Sequence, residues 1–371
     1  MKKKAHIIAF DIPFPANYGG VIDVFYRFKA LCEEGMDITL HCFEYGDRTR
    51  QAELEKYCSK VYYYPRKKLV YQFWLPYIVS SRSSKELLNN LMLDDSPILF
   101  EALHSCYLLN HPALLGRQKI VRMHNIEHDY YALLAISEQN FFKRSYYQFE
   151  AWLLERYENV LDRANIILAI SEKDRKQMAQ RFGEKVLLMP AFHGNNKVSC
   201  IAGKSDYCFY HGKLSVAENH QAAMFLVKEV FSKTKTKLFI AGDGYSASLE
   251  HAIQKQKNVS LLKNLSPLEI ENHIKNAHVN VLTTFQPTGI KLKLVNVLYN
   301  GRFIVVNTPM VIESGLEDAC HIKDFPADMA KEIEACMAQT FTEEDILKRN
   351  KVLGAQFDVI ANARKIIALF R

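Results

Sequence analysis

The stretch T-T-F-Q-P-T-G-I-K-L-K-L-V-N-V-L-Y-N-G-R-F-I-V-V-N, from Thr283 to Asn307, decides how the chain folds. An apolar run ends at Thr283, and Pro287, Thr288 and Gly289 form a tight turn. A helical period then begins near Ile290, and Gly301 stops it before a second β-branched run, Phe303 to Asn307. This is one strand-turn-helix-turn-strand step of a parallel sheet. Lys291 and Lys293 fall close to the first turn of the helix, at the positive end of its dipole. Cations are misplaced there unless an anion is bound with them, so the local conflict points to a phosphate site.

The same alternation extends in both directions. Toward the N-terminus lie strand candidates Tyr207 to His211, Lys237 to Ala241, Val259 to Leu262 and Val279 to Thr283, separated by helical segments. An earlier set begins at Ala5 to Phe10. It continues with the helix Val21 to Glu34 ended by Gly35, and then with Ile38 to Phe43, Val61 to Tyr64, Ile98 to Glu101, Lys119 to Met123 and Ile166 to Ala169. A long helix is expected over roughly Phe142 to Asp162. Between the two sets, Leu187 to Gly203 is rich in turn formers and reads as an interdomain linker. The expected class is α/β: two doubly wound Rossmann-like domains, 1–189 and 190–354, with an interdomain cleft, and a final amphipathic segment, 355–371, packing back on the first domain. Open sheets of this kind bind ligands beyond the carboxyl ends of their strands.

Composition narrows the partners. The 371 residues are 49% hydrophobic and 24% charged, the balance of a folded globular chain, and the net charge of +7 favours anionic partners without the basic cluster that nucleic acid demands. Cys32, Cys42, Cys58, Cys106, Cys200, Cys208, Cys320 and Cys336 form no C-x-x-C pair and no zinc-spaced cluster, so they read as reduced core thiols and no metal site is expected. The start M-K-K-K-A-H-I-I-A-F lacks the apolar core of a signal peptide, and no run reaches the length of a membrane span. A cytoplasmic protein is expected.

Four further motifs sit just after strands. D-I-P-F-P-A-N-Y-G-G puts Gly19 and Gly20 at a helix start, where backbone can approach a phosphate closely. V-R-M-H-N-I-E-H-D-Y-Y crowds His124, Asn125, Glu127, His128 and Asp129 beyond an apolar strand, a plausible substrate-contact cluster whose acidic members also suit a helix start. F-Y-H-G-K-L-S-V-A-E-N-H places Gly212 and Lys213 after a strand, and A-G-D-G gives Gly242 and Gly244 the same position.

Taken together, these motifs resemble the GT-B glycosyltransferases, in particular the retaining group with the "glycosyl transferases group 1" C-terminal domain. Gly19 and Gly20 resemble that family's Gly-Gly loop, and His124 its mid-domain histidine. Gly212, Leu214 and Asn219 resemble its G-x-L strand exit, and Gly242 with Gly244 its A-G-x-G. Gly289, Lys291 and Lys293, with Gly301, resemble its G-x-R/K-x-K pattern. Three positions depart from the family: Thr288 and Asn296 stand where it carries the glutamates of an E-x7-E motif, and Glu218 stands where many members have lysine.

The resemblance implies transfer of a sugar from a nucleotide-diphosphate sugar, a co-substrate, to a hydroxyl of a glycan or lipid-linked acceptor in surface polysaccharide or glycan assembly, without metal or other cofactor. His124, Lys291 and Lys293 would be catalytic. The donor would meet Gly19, Gly20, Gly212, Lys213, Gly242, Thr288, Gly289, Ile290 and Asn296, and the acceptor Asn17, Tyr18, Asn125 and Glu127. The mixed cations and aromatics Arg66, Lys67, Lys68, Tyr71, Phe73, Trp74 and Tyr77, and the stretch Phe141 to Trp152, would suit peripheral contact with the inner face of an anionic membrane. The departures at Thr288 and Asn296 keep a second reading in play, a catalytically weakened GT-B protein serving as a regulatory or assembly subunit that binds a nucleotide or glycan.

Overall fold

In a computed structural model that describes residues 2–69, 72–138, 140–286 and 291–371, each apolar run listed above forms a strand. Tyr71, Pro287, Thr288, Gly289 and Ile290 lie outside the described residues. The chain divides into unit 1, residues 1–194 and 357–371, and unit 2, residues 195–356.

Unit 1 contains β1 (Lys4–Ala9), β2 (Asp37–Glu44), β3 (Lys60–Pro65), β4 (Ile98–Glu101), β5 (Lys119–Arg122), β6 (Ile166–Ala169) and β7 (Val186–Leu188). They pair in parallel in the order β3-β2-β1-β4-β5-β6-β7. Unit 2 repeats the plan with β8 (Tyr207–His211), β9 (Lys237–Ala241), β10 (Val259–Leu262), β11 (Val279–Leu282), β12 (Phe303–Val306) and β13 (His321–Ile322), ordered β10-β9-β8-β11-β12-β13. In each sheet the order reverses beside the first strand, between β1 and β4 and between β8 and β11. That is the switch point where loops diverge and a crevice opens.

Alternation along the strands of unit 1 sorts its core into two layers. Ile7, Ile38, Leu40, Leu99, Ile120 and Leu168 pack on one side with Val24, Phe25 and Phe28 of the helix Gly19–Glu33. Ile8, Phe43, Ile98, Phe100, Val121 and Ile167 pack on the other. The C-terminal helix Val359–Leu369 joins the first layer through Ala363 and Ile366, and Gln118 Nε2 donates to its Leu369 carbonyl at 2.7 Å.

A polar chain crosses the sheet, and its hydrogens can be ordered from the donor end. Asn90 Nδ2 donates to Tyr64 Oη at 2.9 Å, and Tyr64 then donates to His41 Nδ1 at 2.8 Å. His41 Nε2 donates to His6 Nδ1 at 2.8 Å, and His6 Nε2 to Asp94 Oδ1 at 2.9 Å. Both imidazoles are thus satisfied while neutral, consistent with burial lowering the His41 pKa well below its ordinary value.

Two expectations shift. The linker is shorter than its turn formers suggested, because Val186–Leu188 adds a strand and Met189 and Phe192 are buried in the unit 1 core. The long helix runs Phe141–Tyr157 and tightens into a 3-10 segment over Glu158–Arg163. Replacing Ile366 with Ala should cost unit 1 about 2–4 kcal/mol, the range for a fully buried isoleucine, and urea unfolding of the variant will measure it.

Candidate functional site

In unit 1 the strand ends converge on a buried ion network. Asp23 and Arg27, one turn apart on the helix Gly19–Glu33, pair at 2.7 Å. Arg27 also pairs with Glu101 at the end of β4. Arg122, the last residue of β5, donates from Nε to Asp23 at 3.2 Å, from Nη1 to the Met189 carbonyl and from Nη2 to the Pro190 carbonyl at 3.2 Å. The Phe192 amide donates to Asp23 at 2.6 Å. Burial alone would raise the Asp23 pKa, but Arg122 and Arg27 outweigh it and hold the carboxyl well below the usual range.

His124 caps this network and is 8% exposed. Its Nε2 lies 3.0 Å from Glu101 Oε2 and its Nδ1 3.6 Å from Asp23 Oδ2, so both ring nitrogens face carboxylates. Phe10 packs its ring against His124 and, on another side, against His104, each at 5.4 Å between centroids.

The loop after β1 is closed on itself. Tyr18 donates its hydroxyl to Asp11 Oδ2 at 2.5 Å, and Asn17 accepts from Arg48 Nη1 at 2.9 Å. Gly19 and Gly20 open the helix with no side-chain cap and no acidic residue in the first turn, which leaves its amide end free for an anion. Neither glycine has positive φ; a Cβ on Gly20 would lie 2.8 Å from the Phe10 ring, and this close approach is what requires glycine there.

Beyond β5, Asn125 is half-buried and Glu127 starts the helix Glu127–Ser137 almost wholly buried. Burial, then the neighbouring Glu158 charge, push the Glu127 carboxyl up to about 8, with Arg82 opposing.

In unit 2 the glycines have a packing explanation. Gly242 (φ +154) runs so close to β8's exit that a Cβ would clash with the Gly212 carbonyl, and a Cβ on Gly212 would sit 3.0 Å from Asn219 Cγ. Lys213 is exposed, and its carbonyl accepts from Asn219 Nδ2 at 3.1 Å.

The two lysines singled out in the sequence do converge. Lys291 Nζ lies 3.2 Å from Glu218 Oε1, and that same oxygen accepts from Thr284. Lys293 donates to Asn219 Oδ1 at 3.0 Å and lies over the Tyr210 ring at 5.5 Å. Burial brings the Lys293 ammonium down to about 8, with Glu218 raising it and Lys291 lowering it further. Asn296 sits in an asparagine ladder, its Oδ1 accepting from Asn195 at 3.3 Å and from Asn300 at 3.1 Å. Thr288, Gly289 and Ile290 lie outside the described residues.

Sequence reasoning missed Asp23, Arg27, Glu101, Arg122 and His104. An Asp and an Arg spaced i,i+4 among the apolar residues of a helix that packs on a sheet were the available signal for the first pair.

No protein-family profile matches the chain. An uncharacterised 44.6 kDa protein in the cps region of Klebsiella pneumoniae is 25% identical over 321 residues, 81% of this chain and 82% of that protein. Sucrose-phosphate synthase of Thermosynechococcus elongatus superposes with a TM-score of 0.71 at 13% identity, over 99% of this chain and 98% of that one. HepE of Anabaena, solved with UDP-glucose, gives 0.66 at 13% identity over 98% of each chain. TarM of S. aureus, solved with fondaparinux, alpha-GlcNAc-glycerol and UDP, gives 0.68 at 11% identity over 99% of each chain. The fold is that of the GT-B glycosyltransferases.

Two outcomes follow. Replacing Asp23 with Asn leaves buried Arg122 without a carboxylate and Arg27 with Glu101 alone, and should cost about 3 kcal/mol or more in chemical denaturation. For Glu127, the folded pKa lies above the unfolded one, so its contribution to stability is full below the ordinary carboxyl range and is lost as pH rises toward 8. Glu127→Gln removes that titration, and by calorimetry the melting temperature of the variant relative to wild type should climb from pH 5 to pH 8.

Proposed function

We propose that the chain is a retaining, metal-independent glycosyltransferase that moves a sugar from a nucleoside-diphosphate sugar to a hydroxyl of a glycan or lipid-linked acceptor, in surface polysaccharide assembly. The observation that carries this reading is the convergence of Lys291 on Glu218 and of Lys293 on the adjacent Asn219 at the start of the helix Leu292–Asn300. Two lysines held side by side, one on a carboxylate and one on an amide oxygen, beside a helix N-terminus form a seat that a diphosphate can take over. The GT-B fold, and the UDP and UDP-glucose held by TarM and HepE, support the same reading.

Unit 2 would hold the donor, with Lys291 and Lys293 neutralising the leaving diphosphate and Asn296 hydrogen-bonding the nucleotide. The acceptor oxygen forms its bond to the anomeric carbon as the bond from that carbon to the phosphate oxygen breaks, on the same face. The acceptor proton passes to the departing diphosphate. The protein's share is charge stabilisation and positioning.

Unit 1 would present the acceptor. No helix among the described residues is long and apolar enough to cross a membrane. The helix Phe141–Tyr157 exposes Phe141, Phe142, Phe149 and Trp152, with Arg144 over Phe141 and Arg156 over Trp152, and this face would rest peripherally on anionic lipid.

A second reading, a weakened GT-B protein that binds nucleotide or glycan without turnover, is favoured by the Asn296 ladder and by His124, whose nitrogens are both turned to carboxylates. Thermal-shift measurements against UDP, GDP, ADP and their sugars test the first reading. One nucleoside diphosphate should raise the melting temperature, and the double variant Lys291→Ala with Lys293→Ala should abolish the shift. An unchanged shift in the double variant removes the lysines from the seat. Binding without transfer or donor hydrolysis selects the second reading.

A further inference from the structure

Unit 2 gathers three metal-ligating side chains at the edge of its sheet, on residues that the donor seat does not use. Strand β13 is two residues long and lies last in the sheet order, paired with β12 through Val305 opposite His321 and Val306 opposite Ile322. The helix Pro326–Ala338 follows it. Glu332 and Cys336, one turn apart on that helix, share the face turned toward His321. One ligating atom from each of the three side chains lies within 4.8 Å of the other two. His321 Nδ1 is 2.7 Å from Glu332 Oε1, and Lys323 Nζ is 3.3 Å from Glu332 Oε2. A nitrogen, an oxygen and a sulfur donor, from a strand and a helix, thus face one gap.

The thiol is the member that the fold leaves unused. Cys336 is wholly buried, and its Sγ makes no hydrogen bond among the described residues. Its carbonyl, by contrast, accepts from His278 Nε2 at 3.1 Å, which fixes the turn of helix that carries the sulfur. The His321 side chain is 35% exposed and that of Glu332 22%, so the trio is reached from solvent past the histidine.

Room for an ion is set by the donors themselves. Tetrahedral zinc holds nitrogen and oxygen at about 2.0–2.2 Å and sulfur at about 2.3 Å, which puts neighbouring donors roughly 3.3–3.8 Å apart. No pair of the three has to change its separation by more than about 1 Å to reach that spacing. Binding replaces hydrogens with the ion. The imidazole hydrogen that Nδ1 gives to Glu332 moves to Nε2, and the Cys336 thiol releases its proton to water as the sulfur–metal bond forms. Burial, and then the Glu332 charge, push that thiol up to about 12. A divalent ion offsets both causes, since its charge meets the thiolate and the carboxylate together. Lys323 holds Oε2 of Glu332 and leaves Oε1 to the ion.

We propose that His321, Glu332 and Cys336 form a zinc site that clamps β13 to the helix Pro326–Ala338, with water as the fourth ligand. A mixed nitrogen, oxygen and sulfur set suits zinc, whereas magnesium and calcium take oxygen alone. The role is structural, so the site stands or falls independently of the transfer reaction. Its spacing, H-x10-E-x3-C, matches none of the paired patterns sought in the sequence, because the fold alone brings the histidine to the helix.

Metal titration of the full chain, stripped with EDTA and dialysed free of it, tests the site. By calorimetry wild type should take up Zn²⁺ at this site, and Zn²⁺ should raise its melting temperature. Co²⁺ should give the visible bands of a tetrahedral ion and an ultraviolet thiolate charge-transfer band. His321→Ala and Cys336→Ala should each weaken Zn²⁺ binding about a hundredfold or more, and Cys336→Ala should abolish the charge-transfer band. Because His321 is partly exposed, stripped His321→Ala should melt with stripped wild type, which separates lost binding from lost folding. If Cys336→Ala fails to fold, the His321→Ala arm decides. No Zn²⁺ uptake by wild type, or uptake and Co²⁺ spectra that His321→Ala leaves unchanged, overturns the site.

Discussion

Asp23 is the point on which unit 1 depends. One carboxylate, 1% exposed, accepts from Arg27 on its own helix, from Arg122 at the end of β5 and from the Phe192 amide after β7. Three pieces of chain distant in sequence are thereby fixed to one another. Glu101 closes the set through Arg27 and His124. Two carboxylates and two guanidiniums balance one another, and this balance lets so many charges sit away from water. An apolar substitute could fill the same volume, but it could not fix the directions in which β4, β5 and the Gly19–Glu33 helix end. Those directions aim the loops that carry the candidate site.

The sheets were legible because parallel strands buried on both faces read as unbroken apolar runs, and Tyr207 to His211 or Lys237 to Ala241 leave little choice. Val186–Leu188 and His321–Ile322 are too short to show a pattern, and both lie at the far edge of their sheet order, where few neighbours constrain composition. The Leu187 to Gly203 segment contains the division between the units, after Gly194, but its first part belongs to the unit 1 core. Its Pro190 and Gly194 announce turns, yet Met189 and Phe192 between them are core residues whose backbone is held by Arg122 and Asp23. Local turn chemistry was read correctly, and what it could not reveal was a tertiary partner more than a hundred residues away.

The lysine conflict in the first turn of the Leu292–Asn300 helix was visible in sequence because it violates a local rule. Its internal resolution was not. Glu218 belongs to the first turn of another helix, Ala217–Phe225, where an acidic residue is favourable for its own dipole reason and attracts no notice. Folding brings it to Lys291, so the start of one helix supplies the anion that the cation at the start of the other lacks. The Asn296 ladder is similar. Its partners Asn195 and Asn300 are ordinary polar residues until the helix and the segment before β8 meet.

His104 shows the limit most clearly. Nothing about a histidine in A-L-H-S-C-Y-L-L distinguishes it from a core residue, and it becomes significant only because Ala102 adopts a backbone conformation that costs of order 1–3 kcal/mol. A strain of that size persists only where the surroundings over-determine it, and here the Arg122 carbonyl, already placed by the Asp23 network, is one of the groups that does so. The interaction that stabilises unit 1 is thus also what holds β4's exit in an unfavourable turn. The exit that results leaves His104 Nδ1 buried without a hydrogen-bond partner among the described residues. The placement of His104 against Phe10 is thus set by the ion network and by Ala102's backbone, and not by the local sequence of β4's exit.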